Sequence, residues 1–420
     1  MVKAVDFLSP GISDSEAIER AQKACEDGTL FIGPKPDGSV WLLDRAILLG
    51  ENTETVVKNC TLKLSDNCRD NFFRSANCGF GIEEPVPIEN VRIRGEGKAV
   101  LMGADRPRST GDSGKILADP CPYKVEDMLR FAKWLSPEEK ESKSPTFPSR
   151  HSHTFGTDAG KPGESQKGDW RNIGILFARV RDFSVTGLTI IDPHCWAISL
   201  EDCSFGEIRN ISFQARMFKT VDGMDQAIEN QDGVDLRNGC HDIVISDLYG
   251  RTGDDVVALT AIASNRIRKG GDYGSTHVMG SDWSKRDRDI KNVIIRNILA
   301  RSTICKSVRL LACETHIENV VIDGVVAQCP DDDRASGGIL IGDPDSAYGR
   351  NLVDSIRGVT ISNVVSNARD AVRVRGYLAD SVITNVVNLN PNRPAIIVDR
   401  PDGLNNVRIS SVISPGKVEY

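Results

Sequence analysis

The sequence predicts an all-β fold: a right-handed parallel β-helix with a short N-terminal capping helix and long loop insertions. Three observations carry this. A short pattern, a polar residue (often Asn or Asp) followed by alternating Val and Ile, recurs along the chain, at ~23–28 residues where the spacing is tightest. A second set of short apolar strands lies between its copies. Helical periodicity is nearly absent after residue 30.

Taken in order, "SDSEAIERAQKACEDG" places apolar residues at 17, 18, 21, 24 and 25. Ser13 or Asp14 can cap its start and Gly28 ends it. This helix, within a cap of residues 1–30, would cover strand edges at the open end of the coil stack. The polar-then-branched pattern appears as "IENVRIRGEG" from Ile88, "VRDFSVTGLTI" from Val180, "IRNISF" from Ile208 and "HDIVISDL" from His241. It returns as "IKNVIIRNI", "IENVVIDGV", "IRGVTISNV", "ADSVITNV" and "LNNVRISSV". Between these lie "CWAISL", "DGVDL", "DDVVAL", "KSVRLL", "GGILIG" and "DAVRVRG". Two short strands per repeat, without two-residue hairpin signals, fit stacked coils better than propeller blades. Residues 104–171 and 262–289 break the repeat as insertions, the first with a short helix near "VEDMLRFAKWL". Both are expected over the groove, with residues 1–420 forming one domain.

Composition narrows the partners. The chain has 420 residues, a net charge of −7 and 40% hydrophobic residues. No basic block suggests nucleic acid, and no apolar run is long enough to span a bilayer. The N-terminal stretch lacks the apolar core of a signal peptide, so a cytoplasmic location is expected unless a leader has been removed. The 11 cysteines form no C-x-x-C pair and read as small buried hydrophobes. The histidines form no ligand pair, so no metal or cofactor is expected.

Aligning the second strands on "GVDL", "VVAL", "SVRL", "GILI" and "AVRV" puts Asp232, Asp255, Lys306, Gly337 and Asp370 in one column. Adjacent strands lie roughly 4.8 Å apart, so Asp232 and Asp255 become neighbours, with Asp254 beside them at the bend. Crowded carboxylates repel, and one is expected to retain a proton near neutral pH. An acid beside a base is what glycosidic-bond hydrolysis requires. A lone Asp-Gly is an ordinary turn; three carboxylates in adjacent repeats are not.

"NQDGVDL" and "TGDDVVAL", following "DPHCWAISLEDC", resemble the polygalacturonase-type glycoside hydrolases (family 28), which show N-T-D-G, then D-D one repeat later, after S-P-x-W. The resemblance covers roughly residues 170–260. It implies a parallel β-helix and an inverting mechanism, with Asp254 as general acid and Asp232 and Asp255 holding the water. Two motifs depart. Lys306, in "ICKSVRLL", stands where the family has the His of G-H-G. "GGILIGD" replaces its R-I-K triplet, and "DAVRVRG" comes one coil later.

The candidate substrate contacts are Asn230, Trp196, Lys306, Arg309, His277 and Trp283. The last two sit in the second insertion with Arg266, Arg268, Lys269 and Tyr273, residues suited to carboxylates and sugar faces. "PDDDRAS" at 330–336 reads as a solvated turn rather than a calcium loop. The expected substrate is a polysaccharide or oligosaccharide, uronate-containing chains included, attacked from an end because long insertions often close a groove. Two alternatives share the fold. A polysaccharide lyase would use Lys306 or Arg309 as base, and a tailspike-like β-helix would bind glycan without cleaving it.

Overall fold

The computed structural model describes residues 1–25, 28–66, 68, 70–79, 82, 84–106, 169–216, 218–221, 224–228, 230–263, 267–268, 271–272, 286–328, 337–343 and 349–414. It is a parallel β-helix. One sheet has fifteen strands and follows the recurring pattern in chain order; a second has ten. The ten are β1 (Ile47–Leu49), β2 (Phe73–Ser75), β3 (Ile175–Ala178), β4 (Ile198–Glu201), β5 (Val234–Arg237), β6 (Val257–Ile262), β7 (Lys306–Cys313), β8 (Gly337–Ile341), β9 (Val372–Val374) and β10 (Ile396–Val398). All pairings between these ten are parallel.

The polar residues of the recurring pattern have a structural reason. Asn90, Asp182, Asp242, Asn292, Asn319, Asp380 and Asn406 all take positive φ, as do Asn297, Asn363 and Asn385 farther along their strands. Asn and Asp tolerate that left-handed conformation better than other side-bearing residues. Each therefore kinks its long strand so that the residue immediately after it turns toward the core. Their side chains also bond along the helix axis. Asn292 Nδ2 donates to Asp242 Oδ1 at 3.0 Å, Asn319 to Asn292 at 3.1 Å and Asn406 to Asp380 at 2.7 Å.

Inside, like stacks on like. Ile198, Val234, Val257, Val308, Ile339 and Val372 occupy one register position of β4–β9. Leu200, Leu236, Leu259, Leu310, Ile341 and Val374 occupy another, and all are buried in one continuous core. The odd positions between them face outward and build the site.

Helix α1 (Asp14–Cys25) caps the stack, burying Ala17, Ile18 and Ala21. Ser13 Oγ accepts the Glu16 N–H at 3.2 Å, which satisfies one open donor of the first turn. Asp14 accepts the Leu42 N–H and pairs with Lys35 at 2.9 Å, tying the helix to the first coil. The expected cap is not purely helical: Val2–Lys3 pairs with Leu30 and Phe31 and joins the fifteen-stranded sheet. Most of both insertions, including the helix near "VEDMLRFAKWL", and the "PDDDRAS" turn lie outside the described residues. None of the nine described cysteines forms a disulfide. Among the described residues no helix is long and apolar enough to cross a membrane.

Candidate active site

The backbone ladder fixes the column at the mouth of the ten-stranded sheet. Ala197 N–H donates to the Asp232 carbonyl, Gly233 N–H to that of Asp255 and Val256 N–H to that of Lys306, each at 2.9 Å. Lys306 pairs in register with Gly337, and Gly338 N–H donates to the Asp370 carbonyl. Gly174 N–H likewise meets the Trp196 carbonyl. Asp232, Asp255, Lys306, Gly337 and Asp370 therefore stand in one row along the helix, as the apolar alignment predicts, and Trp196 extends that row by one coil.

Asp254 sits at the bend before this row. Its conformation is set by Thr252 Oγ1, which donates to the Asp254 carbonyl at 2.6 Å, and by the Gln231 carbonyl, which accepts the Gly253 N–H at 3.0 Å. Asp254 Oδ1 accepts the Asp255 N–H at 2.9 Å. Asp255 is buried and well supplied with donors. Its Oδ1 accepts the Lys306 N–H at 2.9 Å, and Arg309 lies 3.6 Å from Oδ2. Of the three, only Asp254 is partly exposed.

One site residue escaped sequence reasoning. Asp235 points outward from β5, in register with Ala258, which is followed by Arg309 on β7. It is 2% exposed, and Asp232 is 6% exposed. Asp232 Oδ1 and Asp235 Oδ2 are buried and accept no hydrogen bond among the described residues. Burial pushes the Asp232 carboxyl well above the usual range, helped by repulsion from Asp235, Asp254 and Asp255. Burial also pushes Asp235 well up, against the pull of Arg237. Asp232 and Asp235 are thus both pushed toward the protonated form, while Asp254, at the bend, is the partly exposed carboxyl of the group. The signal for Asp235 was present in "GVDL", a carboxylate between two core residues at an outward position.

The predicted contacts divide. Lys306 and Arg309 join the cluster. Lys306 Nζ reaches the fully buried Asp370 carboxylate at 3.2 Å, and Arg309 also lies 3.9 Å from Asp343. Trp196 is buried, with the Arg237 guanidinium 4.7 Å from its ring centroid, in an outer apolar cluster with Trp170, Cys195 and Leu176. Asn230 stands at the bend leading to Asp232, with positive φ. His277 and Trp283 lie outside the described residues. Cys305, unremarked in the sequence, brings its thiol to the acids. Among the described residues, Asp254, Asp255 and Cys305 each offer one donor atom within 4.8 Å of the others, a grouping that could hold a cation. Burial and both carboxylates push that thiol well up, so it stays protonated.

Such a site can deliver a proton from Asp254 at the surface and hold a water against the buried carboxyls beneath. The family model of glycosyl hydrolases family 28 matches residues 158–326. A polygalacturonase from Erwinia carotovora ssp. carotovora has a similar structure, with TM-score 0.55 at 15% identity over 98% of this chain and 93% of its own. An exopolygalacturonase from Thermotoga maritima gives 0.50 at 18% identity, covering 97% and 91%. A tailspike protein of E. coli bacteriophage HK620, solved with a pentasaccharide, gives 0.54 at 14% identity, covering 98% and 66%. At these identities the structural likeness speaks to the fold. None of the curated proteins compared matches the sequence significantly. The segment matched to family 28 contains every coil that supplies the clustered carboxylates, and the protein is a glycoside hydrolase. Within that class its fold is polygalacturonase-like.

Proposed function

We propose that the protein hydrolyses a glycosidic bond of a polysaccharide or oligosaccharide with inversion at the anomeric carbon. Asp254 protonates the leaving oxygen, and Asp232 and Asp255 hold and activate water. The observation that carries this is the row placing Asp232 beside Asp255, with Asp254 half-exposed at the adjoining bend. Oxygens of Asp254 and Asp255 approach within 4.8 Å, short of the roughly 6.5–9.5 Å that leaves room for water between an inverting acid and base. Asp232, one coil behind, is therefore the base assigned opposite Asp254. Action from a chain end rests on the two insertions, which lie mostly outside the described residues.

A lyase would need Lys306 or Arg309 as base, and each is engaged by carboxylates of the chain itself. A glycan binder gains nothing from four carboxylates packed at one spot, since their repulsion opposes folding. Reducing-end release from a glycan panel, with the product anomer read by proton NMR at early times, tests the proposal. Release without a new ultraviolet-absorbing double bond, as the opposite anomer, supports it. Retention, or unsaturated products, refutes it.

A further inference from the structure

The outer face of the ten-stranded sheet is accessible on one side of the carboxylates and covered on the other. Its outward positions run in register from Arg74 through Leu176, Ser199, Asp235 and Ala258 to Arg309. Toward the C-terminal coils, Arg309 and Arg373 each keep 24% of the side chain accessible and Arg375 keeps 34%. Toward the N-terminal coils, Leu176, Ser199 and Asp235 face outward yet are only 0–2% exposed. Trp196 supplies part of that cover. It stands one coil before Asp232 in the row at the mouth of the sheet, whereas Arg237 is the last, outward residue of β5. Arg237 is five residues beyond Asp232, roughly 16 Å of extended strand at ~3.3 Å per residue. Neither side chain spans that length alone, but the guanidinium lies 4.7 Å from the indole centroid. Both side chains therefore lie flat along the sheet, directed toward one another, and meet over Ser199 and Asp235. A second stack of the same kind lies behind the first. The Arg74 guanidinium is 5.1 Å from the Trp170 centroid, and Leu176 is buried with both indoles in one apolar cluster.

We propose that the Trp196–Arg237 bridge is a wall ending the groove at the coil of Asp232, so the substrate chain enters over the Lys306 and Arg309 coils and is cut close to an end seated against the bridge. A glycan lying along the helix axis crosses the coils one after another. To pass Asp232 it would have to occupy the volume of the indole and the guanidinium. Neither yields easily. Trp196 is 6% and Arg237 1% exposed, so moving them apart uncovers a large apolar ring and takes a buried charge off its aromatic neighbour. Asp254, one coil beyond Asp232, then stands near the closed end of a one-ended groove. Adjacent coils are ~4.8 Å apart, so the part of the chain between the bridge and the cut is a stub of about one or two glycosyl residues. The inference deepens the hydrolase reading and rests on it for the placement of the substrate along the row. It uses residues of the coils themselves rather than of the two insertions.

The test uses α-1,4-linked galacturonide hexamers and their carboxyl-reduced counterparts, each biotinylated at one end or the other and capped with streptavidin. Binding to the full chain carrying Asp254→Asn is measured by calorimetry. In whichever series binds, a cap on one end should weaken binding at least about tenfold relative to a cap on the other, because only one end seats against the bridge. Adding Trp196→Ala, which removes the indole half of the bridge, should bring the two affinities within about threefold. Arg237→Ala removes the other half and serves as the second probe if Trp196→Ala does not fold, as judged by circular dichroism. The one-sidedness of binding before either change is decisive even if neither variant folds. Equal binding of the two capped forms, rejection of both, binding of neither series, or an unchanged ratio in a folded variant overturns the proposal. Wild-type products from the uncapped hexamers are followed in parallel. Fragments from the middle of the chain as first products would remove the wall while leaving the hydrolase reading intact. One-sided binding with no release of reducing ends would sink the hydrolase reading while leaving the wall standing.

Discussion

Asp254 is the partly exposed member of its cluster, and that sets what its removal should do. Asp254→Asn keeps the bend, because the amide oxygen can still accept the Asp255 N–H. It removes the proposed proton donor. Turnover on a natural linkage, with its poor leaving group, should fall by about 10²–10⁴-fold while glycan binding persists. Near-wild-type turnover would show that the acid is another residue. Asp235 acts on the same chemistry at one remove. Its charge is among the causes that push Asp232 upward. Asp235→Asn should let Asp232 ionise at lower pH, so the acidic limb of the kcat/KM profile moves toward lower pH. An unmoved limb would place Asp235 outside the titrating cluster, whose apparent values belong to the group as a whole.

Within the ten-stranded sheet, β6 links core and site. Leu259 is fully buried between Leu236 and Leu310, while Asp255 stands at the mouth of the same strand. Leu259→Ala should cost ~2–5 kcal/mol, because stacked coils cannot easily close around the cavity. Urea denaturation checks this, and a loss below 1 kcal/mol would mean that the stack relaxes more freely than its packing suggests. The same strand shows what was legible in advance. Its inward alternation with β5 and β7 fixed the row of Asp232, Asp255 and Lys306, since a slip of one residue would turn Leu259 outward. For Asp235 the same alternation showed an outward carboxylate in "VDL" but not its burial, which comes from the neighbouring coils. The Lys306–Asp370 contact was hidden for another reason. It spans two coils through a glycine, and pattern alignment compares nearest neighbours only. The kinks at Asn292 and Asn319 were visible as polar residues, but their positive φ and axial bonding were not.

For the molecule as a whole, buried carboxyls tie stability to pH. Burial raises the Asp202 carboxyl to about 6, against the pull of Arg179, and Asp232 and Asp235 are also pushed well up by burial. Each has a folded pKa above the unfolded value of roughly 3.9, so the folded chain binds more protons between the two. Stability from Asp202 is fully present below about pH 4 and is lost as pH rises through 6. Asp202→Asn should therefore raise the melting temperature at pH 7.5 more than at pH 4.5; an equal gain at both would contradict this origin. The axial line of asparagines has a consequence for how the protein ages. An asparagine sheds its amide when the backbone nitrogen of the next residue attacks the side-chain carbonyl carbon. Asn292, Asn319, Asn363 and Asn406 are each followed by valine, whose branched side chain crowds that attack, and each holds its amide in a bond to the neighbouring coil. On long storage at mildly alkaline pH, peptide mapping should find these four intact after exposed loop asparagines have begun to convert, leaving the molecule a spine that time erodes last.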